Sequence, residues 1–247
     1  MLTPTSTTAE RAVMEMLFRG REQELAALYP RLLILLDDHW IGLEEGFAAV
    51  KELRSCNYRT TLWVSEQLVD RIGAGEIAKK TGVDSIISIG RTSSSLMEQE
   101  YEVIFVPVLN FSMLSKLSRL DDSHPFSRAV IQALCSGKKV EALTLGIDSQ
   151  LPEWRTQGLT QAPAMRQQLQ GMLRDIQSYG VNTLRPDQLS RLTVKKAPLQ
   201  TLITAEDITM AYNRGERELK PQGRVVITPL AKDLSAHYGI IIYESGL

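Results

Sequence analysis

Four stretches of this sequence hold side chains able to bind or polarise a ligand, and each closely follows a short apolar run. Asp37, Asp38, His39, Trp40, Ile41 and Gly42 come after the first run, and Ser65 and Glu66 after the second. Thr92, Ser93, Ser94 and Ser95 form a hydroxyl cluster after the third, and Pro107 to Lys116, holding Asn110, Ser112 and Lys116, closes the fourth. Hydroxyls and free amides at helix N-termini are what a phosphate monoester needs, because they donate without steric bulk near a positive dipole end. The consecutive serines suit that role, and equally suit a solvated loop with a helix cap. Asp37 and Asp38 are the type of pair that binds hard cations or moves protons. No third carboxylate stands at a supporting spacing, so no metal site is expected, and the pair would repel a phosphate bound directly at its own turn. His39, His124 and His237 have no triad or metal-ligand spacing and read as surface or cap residues. No catalytic residue is assigned.

These residues need strands and helices to position them. Short apolar runs alternating with helical stretches are the pattern of a parallel sheet covered on both faces. The expected strands are Leu32 to Leu36, Thr60 to Ser65, Ser85 to Gly90, Val103 to Val108 and Lys139 to Gly146, with a short final strand in VNTLRP. Helices are expected from Leu43 to Ser55, through VDRIGAGEIAKKTG, through SRAVIQALCSG, and from Ala162 to a cap at Gly180. Before them a helix from Ala9 to Leu28 ends at Pro30. In this order, ligands bind beyond the carboxyl ends of the strands, where the strand order reverses. Gln150 to Gln161 reads as a loop and Arg185 to Leu199 as a polar linker. From Gln200 onward, Thr204 caps one helix, Thr228 and Pro229 start another, and RVVIT and IIIYE supply strands, giving a small helix–strand–helix–strand module. The chain thus divides into an N-terminal helix (1–30), a central domain (31–186), a linker (187–199) and a C-terminal module (200–247).

The 247 residues are 43% apolar, with 28 basic and 29 acidic side chains interleaved. Such a chain buries a sizeable core, and it carries no basic stripe for nucleic acid or a membrane surface. No apolar run approaches the roughly 18 residues that span a bilayer, and no leader pattern opens the chain, so a cytoplasmic protein is expected. Cys56 and Cys135 are too few for a disulfide framework and read as buried small apolar residues.

At the fourth strand the text VIFVPVLNFSMLSKLSRLDDSHPFSRAVIQALCSGKKV resembles the homo-oligomeric flavin-containing cysteine decarboxylase-like flavoproteins. The matching positions are Pro107, Asn110, Leu114, Ser115, Lys116, Leu117, Asp121 or Asp122, Gly137 and Lys138, and APAMRQQLQGMLRDIQSYGVNTLRP looks like that family's last helix and strand. The resemblance runs from Arg31 to Pro186. It implies a flavodoxin-like open parallel sheet and a homo-oligomer holding flavin mononucleotide (FMN) at the strand ends. It also implies cofactor contacts from Gly42, from Ser65, Ser93 and Ser94 to the phosphate and ribityl chain, and from Asn110 and Ser112 near the ring, with Lys116 structural or at an interface. Three departures stand out. DDHWIG replaces the family's glycine–serine–isoleucine phosphate turn, GIDSQLPEW replaces its methionine–asparagine motif, and the catalytic histidine and cysteine of the decarboxylases have no counterparts, so decarboxylation is not expected.

The tail from Thr201 to Glu244 is similar to the N-terminal segment of the ethanolamine-utilisation protein lettered Q and to tails of other microcompartment proteins. Leu202-Ile203-Thr204, Asp207-Ile208, Arg214-Gly215-Glu216, Ile227-Thr228-Pro229, Ala231 and Gly239 carry that likeness. It implies a bacterial microcompartment protein with shell or core enzymes as partners. Its role would be electron transfer or cofactor upkeep, or assembly alone in a chain that kept the fold without the flavin.

Overall fold

The structure is a computed structural model that describes residues 16, 18–20, 22–54, 56, 58–88, 101–192, 201–203, 205–219, 225–227 and 229–243. Its contacts divide the chain into two compact units, Met1–Val194 and Lys195–Leu247.

In the first unit, six strands form one parallel sheet: β1 (Arg31–Leu36), β2 (Arg59–Val64), β3 (Ile86–Ser88), β4 (Val103–Val106), β5 (Lys139–Leu143) and β6 (Val181–Leu184). The order is β3-β2-β1-β4-β5-β6. Without its edge strand β3, this is the 2-1-3-4-5 order of flavodoxin-like sheets; β3 extends it to the 3-2-1-4-5-6 order of doubly wound dinucleotide folds. β1 pairs with β2 on one side (Leu33↔Thr61) and with β4 on the other (Leu33↔Ile104), so the order reverses between β1 and β4. The open, doubly wound sheet expected from the alternating runs is therefore present.

β1 is apolar from Leu32 to Leu36 because both of its faces are covered. Leu32, Ile34 and Leu36 pack with Phe47, Val50 and Leu53 of α2 (Leu43–Arg54). Leu33 and Leu35 face Leu114 and Leu117 of α5 (Phe111–Ser118), Phe126 and Val130 of α6 (Pro125–Cys135), and Leu169 and Ile176 of α8 (Pro163–Ser178). Each such leucine contributes about 2 kcal/mol on full burial.

Several boundaries differ from the sequence reading, each for a local reason. β4 stops at Val106, not Val108, because Pro107 has no N–H for the ladder. β5 ends at Leu143, whose carbonyl accepts from Leu109 N, and the chain tightens into a 3₁₀ turn, Thr144–Gly146. The single helix expected across Gly73 is two, α3 (Glu66–Ile72) and α4 (Ala74–Thr81), since Gly73 takes φ +86°. Leu151 to Gln157 holds a short helix, α7 (Pro152–Thr156), where a loop was expected, with Pro152 at its first turn. Within the expected N-terminal helix, Met16 is helical, Phe18–Gly20 form a turn in which Gly20 has φ +80°, and α1 (Glu22–Leu28) follows. Pro186–Leu192, the first part of the expected linker, is a 3₁₀ helix that buries Leu189 and Leu192. Tyr58 donates its hydroxyl to the Leu192 carbonyl at 2.8 Å, and burial pushes that phenol up to about 12. Neither cysteine is buried: Cys56 is partly exposed, and Cys135 is exposed because it lies two residues beyond Ala133, off the buried stripe of α6.

The second unit contains β7 (Thr201–Ile203), α9 (Ala205–Asn213), β8 (Glu218–Leu219), β9 (Val225–Ile227), α10 (Pro229–Tyr238) and β10 (Ile241–Ile242). β7 pairs in parallel with β9, and β8 with β10. The module is therefore strand–helix–strand twice over, with β7 and β8 added to the elements read from the sequence. Gly215 and Gly239, both at positive φ, end the two helices, and Ile203, Ile208, Ala211, Ala231 and Ile240 form the core. Thr204, Thr228 and Gly223 lie outside the described residues.

Candidate functional site

The reversal of strand order brings the turns after β1 and β4 together at the carboxyl edge of the sheet, where an α/β sheet of this kind holds its ligands. Asp37 and Asn110 meet there across 73 residues of sequence. The Asn110 side-chain amide donates to Asp37 Oδ2 at 2.8 Å, while its carbonyl oxygen accepts from Met113 N at 2.7 Å and caps α5. The two bonds need a donor at one end of the amide and an acceptor at the other, so they fix its orientation. Asp37 Oδ1 accepts from Asp38 N at 2.9 Å, and the same N–H reaches the hydroxyl oxygen of Ser65 at 3.1 Å. Ser65 is 1% exposed and Asn110 4%.

Asp38 is held from the other side by Arg71 of α3, whose Nε donates at 3.1 and 3.2 Å and whose Nη2 makes a third bond. Both partners are partly solvated, so the pair contributes at most about 1 kcal/mol; its effect is to orient Asp38. Lys80 and Glu44 make a similar bridge at 2.6 Å.

His39 Nε2 lies 3.2 Å from the Gly146 carbonyl. A carbonyl only accepts, so Nε2 carries the proton and Nδ1 is left as an acceptor. The ring is one of four aromatic groups packed together: His39 to Trp40 (5.3 Å), His39 to Phe111 (6.0 Å), Trp40 to Trp154 (5.5 Å) and Phe111 to Trp154 (6.1 Å). Trp154 forms the buried base, donating Nε1–H to the Leu145 carbonyl at 3.0 Å, while Trp40 is 58% exposed. Burial pushes the His39 imidazole below its ordinary value, against the opposing pull of the Gly146 carbonyl and of Asp37 and Asp38. The unfolded ring takes up a proton near pH 6.5, more readily than the folded one. Stability is therefore expected to fall as the pH drops through that value. Urea denaturation at a series of pH values checks this: His39→Gln should flatten the slope, and an unchanged slope in that variant contradicts the assignment.

The remaining expected site residues fall as follows. Gly42 is buried at φ +75°, and a Cβ there would meet Leu145 Cβ at 2.9 Å, so its hydrogen lets the β1–α2 connection approach the Thr144–Gly146 turn. Ser112 is exposed on the first turn of α5 and lines a cleft of about 20 Å³ with Asp37, Lys116, His124, Phe126 and Ser127, room for a single water. Lys116 bonds Asp121 and Ser123, each at 3.2 Å, tying down the α5–α6 turn. Asp121 is held down at about 2 by the hydroxyl and amide of Ser123, with Lys116 adding to the effect. Ser93 and Ser94 lie outside the described residues. Sequence reasoning did not single out Arg71, Phe111, Gly146 or Trp154. Arg71 sits on the helix after β2 and could have been sought as a partner for the Asp37–Asp38 pair; Gly146 and Trp154 carry no local signal.

Among the described residues, no three His, Cys, Asp or Glu side chains gather as a metal site, and no helix is long and apolar enough to cross a membrane. Against FMN, the fit is divided. The aromatic cluster offers a partly exposed face to a planar ring, whereas the β1 turn, which carries two carboxylates and whose Asp38 N–H is taken by Asp37, does not fit the phosphate.

No protein-family model matches the chain, and no curated protein sequence does. Among solved structures, it is similar to AnUbiX (PadA1) in complex with FMN and dimethylallyl pyrophosphate, at 13% identity over 63% of this chain and 77% of that one, TM-score 0.45. It is similar to a dodecameric FMN-dependent Ubix-like decarboxylase from Escherichia coli O157:H7 at 15% identity over 63% and 80%, TM-score 0.44. The FMN-dependent cysteine decarboxylase TvaF from thioviridamide biosynthesis is 13% identical over 64% and 91%, TM-score 0.47. The fold described above rests on the sheet itself, and no site residue is carried over from these structures.

Proposed function

We propose that the first unit binds a flavin beyond the carboxyl ends of β1, β4 and β5, and serves electron transfer or cofactor upkeep in a bacterial microcompartment. FMN is the form that the sequence resemblance implies. The observation that carries this reading is the aromatic cluster at the switch point, where Trp40 stands 58% exposed against Trp154, beside Phe111 and His39. An exposed tryptophan over a buried aromatic base is suited to stacking a planar heterocycle. In this reading Ser65, Ser93 and Ser94 serve the ribityl and phosphate end, Asn110 and Ser112 lie toward the ring, and Gly42 shapes the turn. The protein acts as a homo-oligomer, and the unit Lys195–Leu247 mediates assembly with shell or core enzymes.

The near-ultraviolet and visible absorbance of the purified protein tests this directly, before and after incubation with FMN or riboflavin and desalting. Retained flavin is expected, with quenching of the Trp40 fluorescence. A protein that holds neither flavin rejects the reading. It would leave the second one, a cofactor-free assembly protein, which the carboxylate of Asp37 lodged in the β1 turn favours.

A further inference from the structure

In doubly wound sheets a phosphate lodges where the turn after the first strand meets the next helix, held by free backbone N–H groups and the positive end of the helix dipole. Here that turn contains an anion of the protein's own. Both oxygens of Asp37 are engaged, one by the Asp38 amide at 2.9 Å and the other by the Asn110 amide at 2.8 Å. The Asp38 N–H is shared with the Ser65 hydroxyl at 3.1 Å. Two donors at this turn that a phosphate could use, the Asp38 N–H and the Asn110 amide, are thus already held by Asp37.

The surrounding charge acts in the same direction. The turn and the first turn of α2 carry Asp37, Asp38, Glu44 and Glu45; among the described residues, Arg71 is paired with Asp38 and Lys80 with Glu44, while Lys116, which lines the small cleft beside Asp37, is taken up by Asp121. The dipole of α2 is therefore already met by carboxylates, and a phosphate bearing one to two further negative charges meets repulsion instead of attraction.

We propose that Asp37 is a built-in anion that closes the β1 turn to phosphate monoesters, and so is the specificity-determining residue of the strand-end site. The ligand admitted there is uncharged at the end that faces the turn; if the ligand is a flavin, it is riboflavin in preference to its phosphate ester. That ligand identity rests on the flavin reading above, whereas the closure of the turn does not.

The test uses the full-length protein and the variants Asp37→Gly, which removes the side chain, and Asp37→Asn, which keeps an acceptor for the Asp38 amide and loses the charge. Fluorescence titrations with riboflavin and with FMN give the ratio of their affinities, and thermal unfolding with and without inorganic phosphate reads the turn independently of any flavin. The wild-type protein should prefer riboflavin, and both variants should shift the ratio toward FMN by about tenfold or more. Phosphate should leave the wild type unchanged and stabilise Asp37→Gly. A wild type that prefers FMN, with a ratio that Asp37→Asn does not move, overturns the proposal. If neither flavin binds, the flavin reading fails, and the phosphate arm alone decides: stabilisation confined to Asp37→Gly supports closure, while an equal response of both proteins, including none in either, overturns it.

Discussion

Replacing Gly146 with alanine is expected to destabilise the first unit by about 2–3 kcal/mol, the cost of forcing a methyl group into a packed contact. A Cβ there would stand 2.6 Å from the Leu109 carbonyl oxygen and 2.9 Å from His39 Cδ2. The carbonyl cannot move away cheaply, because Leu109 is tied to the sheet edge through its N–H bond to Leu143 at 2.9 Å. The imidazole would have to yield as well, breaking its bond to Gly146 and disturbing Trp40 and Phe111. For a unit of this size, the loss corresponds to a fall of roughly 5–10 °C in Tm, accompanied by a change in tryptophan near-ultraviolet circular dichroism. Gly171→Ala is the control, since nothing lies within 4 Å of that Cβ and the position is inside α8. It should stabilise by about 0.5–1 kcal/mol through helix propensity. Equal Tm values for the two variants would show that Gly146 does not hold the aromatic cluster in place.

Asn110→Ala should cost about 2–4 kcal/mol, because one side chain does two jobs. It caps α5 through Met113 N, a contribution of about 1 kcal/mol, and it donates to the carboxylate of Asp37, where a hydrogen bond to a charged group contributes about 1.5–3 kcal/mol. Asn110→Asp separates the two roles. Aspartate is as good an N-cap as asparagine, yet its second oxygen would face Asp37 Oδ2 with no proton between them. Two carboxylates sharing one site raise the pKa of one of them. The folded variant then holds a proton that the unfolded chain releases near pH 4, so its stability relative to the wild type should rise as the pH falls from about 8 toward 5. That sign is opposite to the one expected at His39. Urea denaturation across this range reads the slope, and a variant with wild-type stability at both ends would rule out the Asp37–Asn110 contact as a structural bond. The Asn110 amide is thereby oriented toward the turn, which is the position that closure of the turn requires.

The sequence by itself determined the local elements, because their causes are local. Leu32 to Leu36 is apolar at every position, which only a strand covered on both faces can bury. Pro163 marks the start of α8 through its fixed φ, and Gly180, at φ +107°, follows its end. The positions worth inspecting were legible too, since strand ends can be read from apolar runs: Asp37, Ser65 and Asn110 do converge at one edge. What those residues do there was decided by tertiary structure. Whether Asp37 repels a ligand or is held in place depends on Asn110, 73 residues away, and that contact exists only because β1 and β4 are neighbours at the point where the strand order reverses. Gly146 likewise looks like any turn glycine until the fold brings Leu109 and His39 against it. Side chains record the conformation of their own segment in their shape and polarity, whereas contacts across the sheet follow from strand order, which no single segment specifies.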